Sequence, residues 1–114
     1  MPVLLSSTWS RNASSRSAWI PCGAGGAAAA FAVDVTRQQD LEALVQGALD
    51  AFGRVDVMIN NAGLMAISPI RERRIDEWDR MIDINIKGVL YGIAAALPVF
   101  EQQNSGHFIN ISAV

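Results

Sequence analysis

From Gly23 onward the apolar positions of this chain change their spacing several times, and each change marks an element. In "AAFAVDV" they run nearly unbroken, the pattern of a short buried strand with glycines before it and "DVT" after it. The next stretch, "QQDLEALVQGALDAFG", takes a helical period, with Leu41, Leu44, Val45, Ala48, Leu49 and Phe52 on one face. Thr36 with Gln39 three residues on predicts a capping box at its start, and Gly53 predicts its stop. "VDVMIN" reads as a second strand, apolar almost throughout, as expected where both faces of a sheet are covered. The loop "NAGLMAISPI" then leads to a long helix, opening near Asp76 and running to about Gln103. Its predicted buried stripe is Ile75, Trp78, Ile82, Ile86, Val89, Ile93, Leu97 and Phe100, and Pro98 predicts a bend or weak turn. "NSG" closes the helix and "HFINIS" is a third strand. Strand, helix, strand, helix, strand predicts an α/β fold with a parallel sheet.

The first 22 residues break with this order. "MPVLLSSTWSRNASSRSAWIPC" has no helical or strand period and no acidic residue; the first acid is Asp34. We expect residues 1–22 to be a disordered leader of unrelated origin, left by a shifted frame or a wrong start. A targeting leader is the alternative. "GAGGAAAA" (Gly23 to Ala30) reads as a linker into a single domain spanning 23–114. A hydrophobic share of 51% against 18% charged residues places that domain among globular chains. The net charge of −2 and pI near 5.2 give no general attraction for nucleic acid or anionic membrane. Cys22 is the sole cysteine, which excludes an internal disulfide, and the lone His107 leaves little for a metal site. No apolar run reaches the length of a membrane span, so the chain reads as soluble and cytoplasmic. "RERR" (Arg71 to Arg74) sits among Glu72, Asp76, Glu77 and Asp79 and reads as a solvated surface. Asp76–Arg80 and Asp83–Lys87 have the spacing of helical ion pairs.

Three small groups carry candidate chemistry. "NNAG" (Asn60 to Gly63) lies at the carboxyl end of the second strand, the edge where open α/β sheets bind ligands. A glycine there admits a flat ring or ribose, but the same residues also make an ordinary turn. Asp34, ending the first strand, either accepts from a ligand amino group or caps the next helix. Asn85 shares a helix face with Gly88 and Gly92; two glycines in a helix interior suggest a very close neighbour.

Taken together, "DVT", "VDVMINNAG", "DEWDRMIDINIKGVLYG" and "GHFINIS" resemble, in order and spacing, the short-chain dehydrogenase/reductase family over Gly23 to Val114. The resemblance implies a partial Rossmann-like parallel sheet holding the equivalents of the family's strands 3, 4 and 5 with their intervening helices. It implies NAD or NADP as cofactor and a small carbonyl or alcohol compound as substrate. Asp34 and Val35 match the family's adenine-contacting pair. Asn61, Ala62 and Gly63 match the segment lining the adenine-ribose side, with Asn60 steadying the sheet. Asn85 matches the helical Asn whose backbone carbonyl holds a water in the proton relay. The long helix, 76–103, matches one that helps form the family's dimer contact, so a homo-oligomer is implied.

The departures from that family are equally specific. Its catalytic serine falls on position 113, which holds Ala113; Ser112 is one place early and, by strand alternation, is expected to face away unless the strand end distorts. The family's Tyr-x-x-x-Lys pair has no counterpart, since Tyr91 is followed four residues later by Ala95. Its "TGxxxGxG" phosphate loop falls in the Ser-rich leader, where no such glycines occur, and "GAGG" (Gly23 to Gly26) is a weak substitute. In the family two strands separate the third from the fourth, and we expect both to be missing here, leaving open sheet edges. The expectation is therefore a central fragment of an NAD(P)-dependent oxidoreductase, inactive alone. The alternative is a non-catalytic binding or interaction protein built on the same fold.

Overall fold

The computed structural model describes residues 3–6, 18–19 and 30–112. Five strands form one sheet: β1 (Val3–Ser6), β2 (Ala18–Trp19), β3 (Ala30–Phe31), β4 (Val57–Asn60) and β5 (His107–Asn110). Their order across the sheet is β3-β2-β1-β4-β5. β1, β4 and β5 run parallel, with Leu5 opposite Ile59 and Ile59 opposite Ile109. β2 lies antiparallel on β1, and β3 antiparallel on β2. The architecture is α/β and partially Rossmann-like.

Two expectations are corrected here. Residues 1–22 are not free of ordered elements, because Val3–Ser6 and Ala18–Trp19 are strands. Nor are the two places between third and fourth strands empty, because β2 and β1 fill them. The physical reason is that "VLL" is too short to show a period, while its pairing is decided by β4, more than fifty residues away. Among the described residues of "AAFAVDV", Ala30–Phe31 pair as strand and 32–35 do not. The linker residues 23–29 lie outside the described residues.

The first helix spans Gln38–Phe52 and buries Leu41, Leu44, Val45 and Ala48. Leu49 and Phe52 pack partly against the same core. The predicted capping box does not form. Thr36 donates both its backbone N–H (2.9 Å) and its hydroxyl (2.6 Å) to Asp34 Oδ1, a local turn that competes with capping. Asp40 reaches back from the first turn instead, its Oδ2 accepting the Asp34 backbone N–H at 2.9 Å. At the far end Gly53 adopts φ 77° and donates its N–H to the Leu49 carbonyl. An added Cβ at Gly53 meets nothing within 4 Å. Gly53→Ala therefore carries only the left-handed backbone cost, and we expect a loss of about 1 kcal/mol in urea denaturation. An unchanged midpoint would contradict that conformation.

The long helix runs Ile75–Gln103, 29 residues without a break, through an exposed Pro98. Inside it, Asp83–Lys87 form a π-helical turn. By length and composition it is apolar enough to cross a membrane, against the sequence expectation. One ridge of it is buried, Ile84, Gly88, Gly92, Ala96 and Phe100, spaced by four. That ridge packs against the first helix, β4 and β5. The predicted stripe is thus corrected. Ile75, Ile82, Ile86 and Leu97 are exposed, Trp78, Val89 and Ile93 half-buried, and only Phe100 is buried. Periodicity located the bulkiest face, whereas the sheet selected the face small enough for close approach.

The core joins Val33, Val35, Val55 and Met58 to these two helices. β4 alternates between half-buried Val57 and Ile59 and buried Met58 and Asn60. One face of β4 is therefore fully covered, in place of the two expected. On the surface Asp83 pairs with Lys87 at 3.2 Å as predicted. Asp76 pairs instead with Arg74 at 3.1 Å, and this contact holds the Asp76 carboxyl below its ordinary value.

Candidate functional site

The carboxyl ends of β4 and β5 open into a cavity of about 400 Å³ lined by Asn61, Ala62, Gly63, Leu64, Met65, Asn85, Ile111 and Ser112. Two asparagines tie together the strands that lead to it. Asn60, 2% exposed, donates from Nδ2 to Asn110 Oδ1 on the neighbouring strand at 2.8 Å. The Ile111 backbone N–H donates to the Asn60 carbonyl, which carries the β4–β5 pairing one residue further. Asn60 Oδ1 has no hydrogen-bond partner and faces Gly92. A Cβ at Gly92 would overlap that oxygen, so the glycine is what lets the helix lie here.

Asn85 holds the wall. It sits in the π-helical turn, a local widening often found at functional sites. Its Oδ1 accepts the Leu64 backbone N–H at 2.8 Å, and its Nδ2 donates to the Leu64 carbonyl at 2.8 Å. The side chain thus pairs with the loop as a strand residue would. The partner lies 21 residues away in the chain.

Gly63 is exposed and has no positive φ. An added Cβ would meet only Asn85 Oδ1 at 3.6 Å and the Asn61 carbonyl at 4.0 Å, ordinary contacts. Nothing within the described fold demands glycine at this place.

Ser112 is among the residues that line the cavity. β5 ends at Asn110 and the Ile111 N–H carries its pairing one residue on, to the residue before Ser112. Ala113 lies outside the described residues. Asp34 and Val35 are not part of the lining. Asp34 Oδ1 is taken by Thr36, and Val35, 2% exposed, lies beneath Gly88 with its side chain shielded. Leu64, Met65 and Ile111 complete the walls; their proximity to "NNAG" and "HFINIS" was the only sequence signal for them. Among the described residues, no group of three His, Cys, Asp or Glu side chains could hold a metal.

The model of the short chain dehydrogenase family matches residues 5–114, a span that takes in part of β1 as well as every later element. The chain belongs to the short-chain dehydrogenase family. Similar proteins include an uncharacterised oxidoreductase of Staphylococcus saprophyticus, 54% identical over 81 residues, which covers 71% of this chain and 33% of the relative. An uncharacterised oxidoreductase of Listeria monocytogenes is 53% identical over 81 residues, with the same two coverages. One from Staphylococcus haemolyticus is 47% identical, again over 81 residues, covering 71% of this chain and 35% of the relative. This short-chain dehydrogenase chain therefore spans about a third of the length of these relatives.

Proposed function

We propose that this chain forms part of the cofactor-binding region of an NAD(P)-dependent oxidoreductase that moves hydride between a nicotinamide and a carbonyl or alcohol carbon. The observation that carries the reading is Gly63: a glycine the fold does not require, exposed in a cavity at the carboxyl ends of two parallel strands. A flat ring or ribose against its backbone supplies the missing reason for a residue without a side chain. The cofactor, when bound, supplies the hydride donor or acceptor. The chain's own residues bind and orient. Ala62 and Gly63 present backbone, Leu64, Met65 and Ile111 limit water, and Asn85 fixes the loop through Leu64. Asp34 and the Val35 backbone are the adenine-side candidates, and Ser112, at the cavity, is the nearest hydroxyl to the family's serine position. These 114 residues contain no Tyr-x-x-x-Lys pair to protonate a carbonyl, so the chain alone should not turn over substrate.

The test is an amide-resolved NMR titration of the chain with NADH, NADPH and ADP-ribose. Shifts at Ala62, Gly63 and Leu64 are expected, with Gly63→Val weakening binding at least about tenfold while leaving the spectrum folded. Absence of shifts in those three amides with every ligand overturns the reading.

A specific observation favours a second reading, an interaction surface that pairs copies of the chain. Ile82, Ile86, Leu90 and Leu97 lie on the outer side of the long helix at 47%, 55%, 56% and 42% exposure. Sedimentation of the chain beside Ile86→Asp decides it: a dimer that the variant converts to monomer supports pairing, and a monomer in both removes it.

A further inference from the structure

Asn85 has a counterpart at the other end of the same helix. Gln103 Oε1 accepts the Val55 backbone N–H at 3.1 Å, and Gln103 Nε2 donates to the Val55 carbonyl at 2.6 Å. Two carboxamides of one helix therefore each exchange two hydrogen bonds with a backbone residue flanking β4. Val55 precedes the strand and is fully buried; Leu64 follows it at the cavity. Gln103 Nε2 also lies 3.3 Å from the Ser105 carbonyl, in the turn that feeds β5.

The spans match. Eighteen residues of helix separate Asn85 from Gln103, about 27 Å at 1.5 Å per residue. Nine residues separate Val55 from Leu64, about 30 Å if extended. One amide pair alone would act as a pivot. Two pairs at opposite ends prevent the helix from sliding or tilting along β4 unless a bidentate contact breaks. Between them Gly92 lies against Asn60 and Met58 of β4 and has no side chain to interlock at that crossing.

We propose that Gln103 is a positioning residue for the site at the opposite end of β4: with Asn85 it fixes the axial position of the long helix, and so the placement of the Asn61–Leu64 loop. The inference concerns the protein without ligand and stands apart from the cofactor reading.

Hydrogen exchange at single amides tests it. Gln103→Met keeps length and bulk but removes all of the amide's bonds. The expected result is loss of protection at Val55 N–H and, across the strand, at least about a fivefold loss at Leu64 N–H, while Leu44 and Met58 amides keep theirs. Loss at Val55 alone reduces Gln103 to a local cap and overturns the proposal. Uniform loss at every amide also overturns it, since that is general destabilisation. If Gln103→Met does not fold, the reciprocal variant decides. Coupling between two sites runs both ways, so Asn85→Ala must loosen Val55 N–H, and an unchanged Val55 amide rejects the idea.

Discussion

Gly92→Ala is expected to destabilise the chain by about 2 kcal/mol, although the same change in an ordinary helix interior stabilises by about 1 kcal/mol. The sign reverses because the new methyl would occupy the place of Asn60 Oδ1 and press on the Met58 methyl at 3.1 Å. Asn60 cannot swing away freely. It is buried and tied to Asn110, and moving it would break a hydrogen bond that joins two strands inside the core. Gly88→Ala is the matched control. There the added carbon would meet Val35 Cγ2 at 3.1 Å and Cβ at 3.3 Å, a methyl contact relieved by a small shift. The propensity gain and the squeeze are then of similar size, and a change within about 0.5 kcal/mol is expected. Urea midpoints of the two variants make the comparison. A stabilising Gly92→Ala would mean that the helix stands further from β4 than described.

Phe100→Ala is expected to cost about 4 kcal/mol, a large part of the 5–15 kcal/mol that holds a small domain together. Phe100 is 6% exposed and its ring lies 4.9 Å from that of Phe108 on β5. Gly106 comes so close that a Cβ there would enter the Phe100 ring. The turn after the helix is therefore shaped around this side chain, and removing it leaves a cavity the turn cannot fill. Leu97→Ala, at 42% exposure, should cost under about 1 kcal/mol. Thermal melts followed by circular dichroism separate the two. Equal losses at Leu97 and Phe100 would restore the stripe that periodicity favoured.

These comparisons bear on how much of the molecule is legible in its sequence. The first helix was legible almost residue by residue, because Leu41, Leu44, Val45 and Ala48 are both the most apolar and the most buried positions on it. The long helix was legible as a helix but not in its orientation. Its buried ridge includes Gly88, Gly92 and Ala96, which hydrophobicity undervalues, and the π-helical turn shifts the register besides. At the site, "NNAG" and Asn85 were visible through motif and spacing. The tie between Asn85 and Leu64 was not, because its geometry exists only once helix and loop are packed. Strand alternation gives Ser112 no fixed orientation, because β5 ends at Asn110. β1 was missed for a different reason: its four residues become a strand by pairing with β4 and β2.

That pairing orders events in time. The chain's β1 occupies the middle of the sheet, yet Val3 meets Val57 and Ser6 meets Asn60, partners 54 residues further along. Contacts so distant in sequence close late, after the helix and loop contacts within 55–112 have formed. At roughly 5–20 residues per second of synthesis, Val3–Ser6 wait about 3–10 s for β4 to be made. For that interval the future centre of the sheet lacks its parallel neighbour and has only Ala18–Trp19 to pair with.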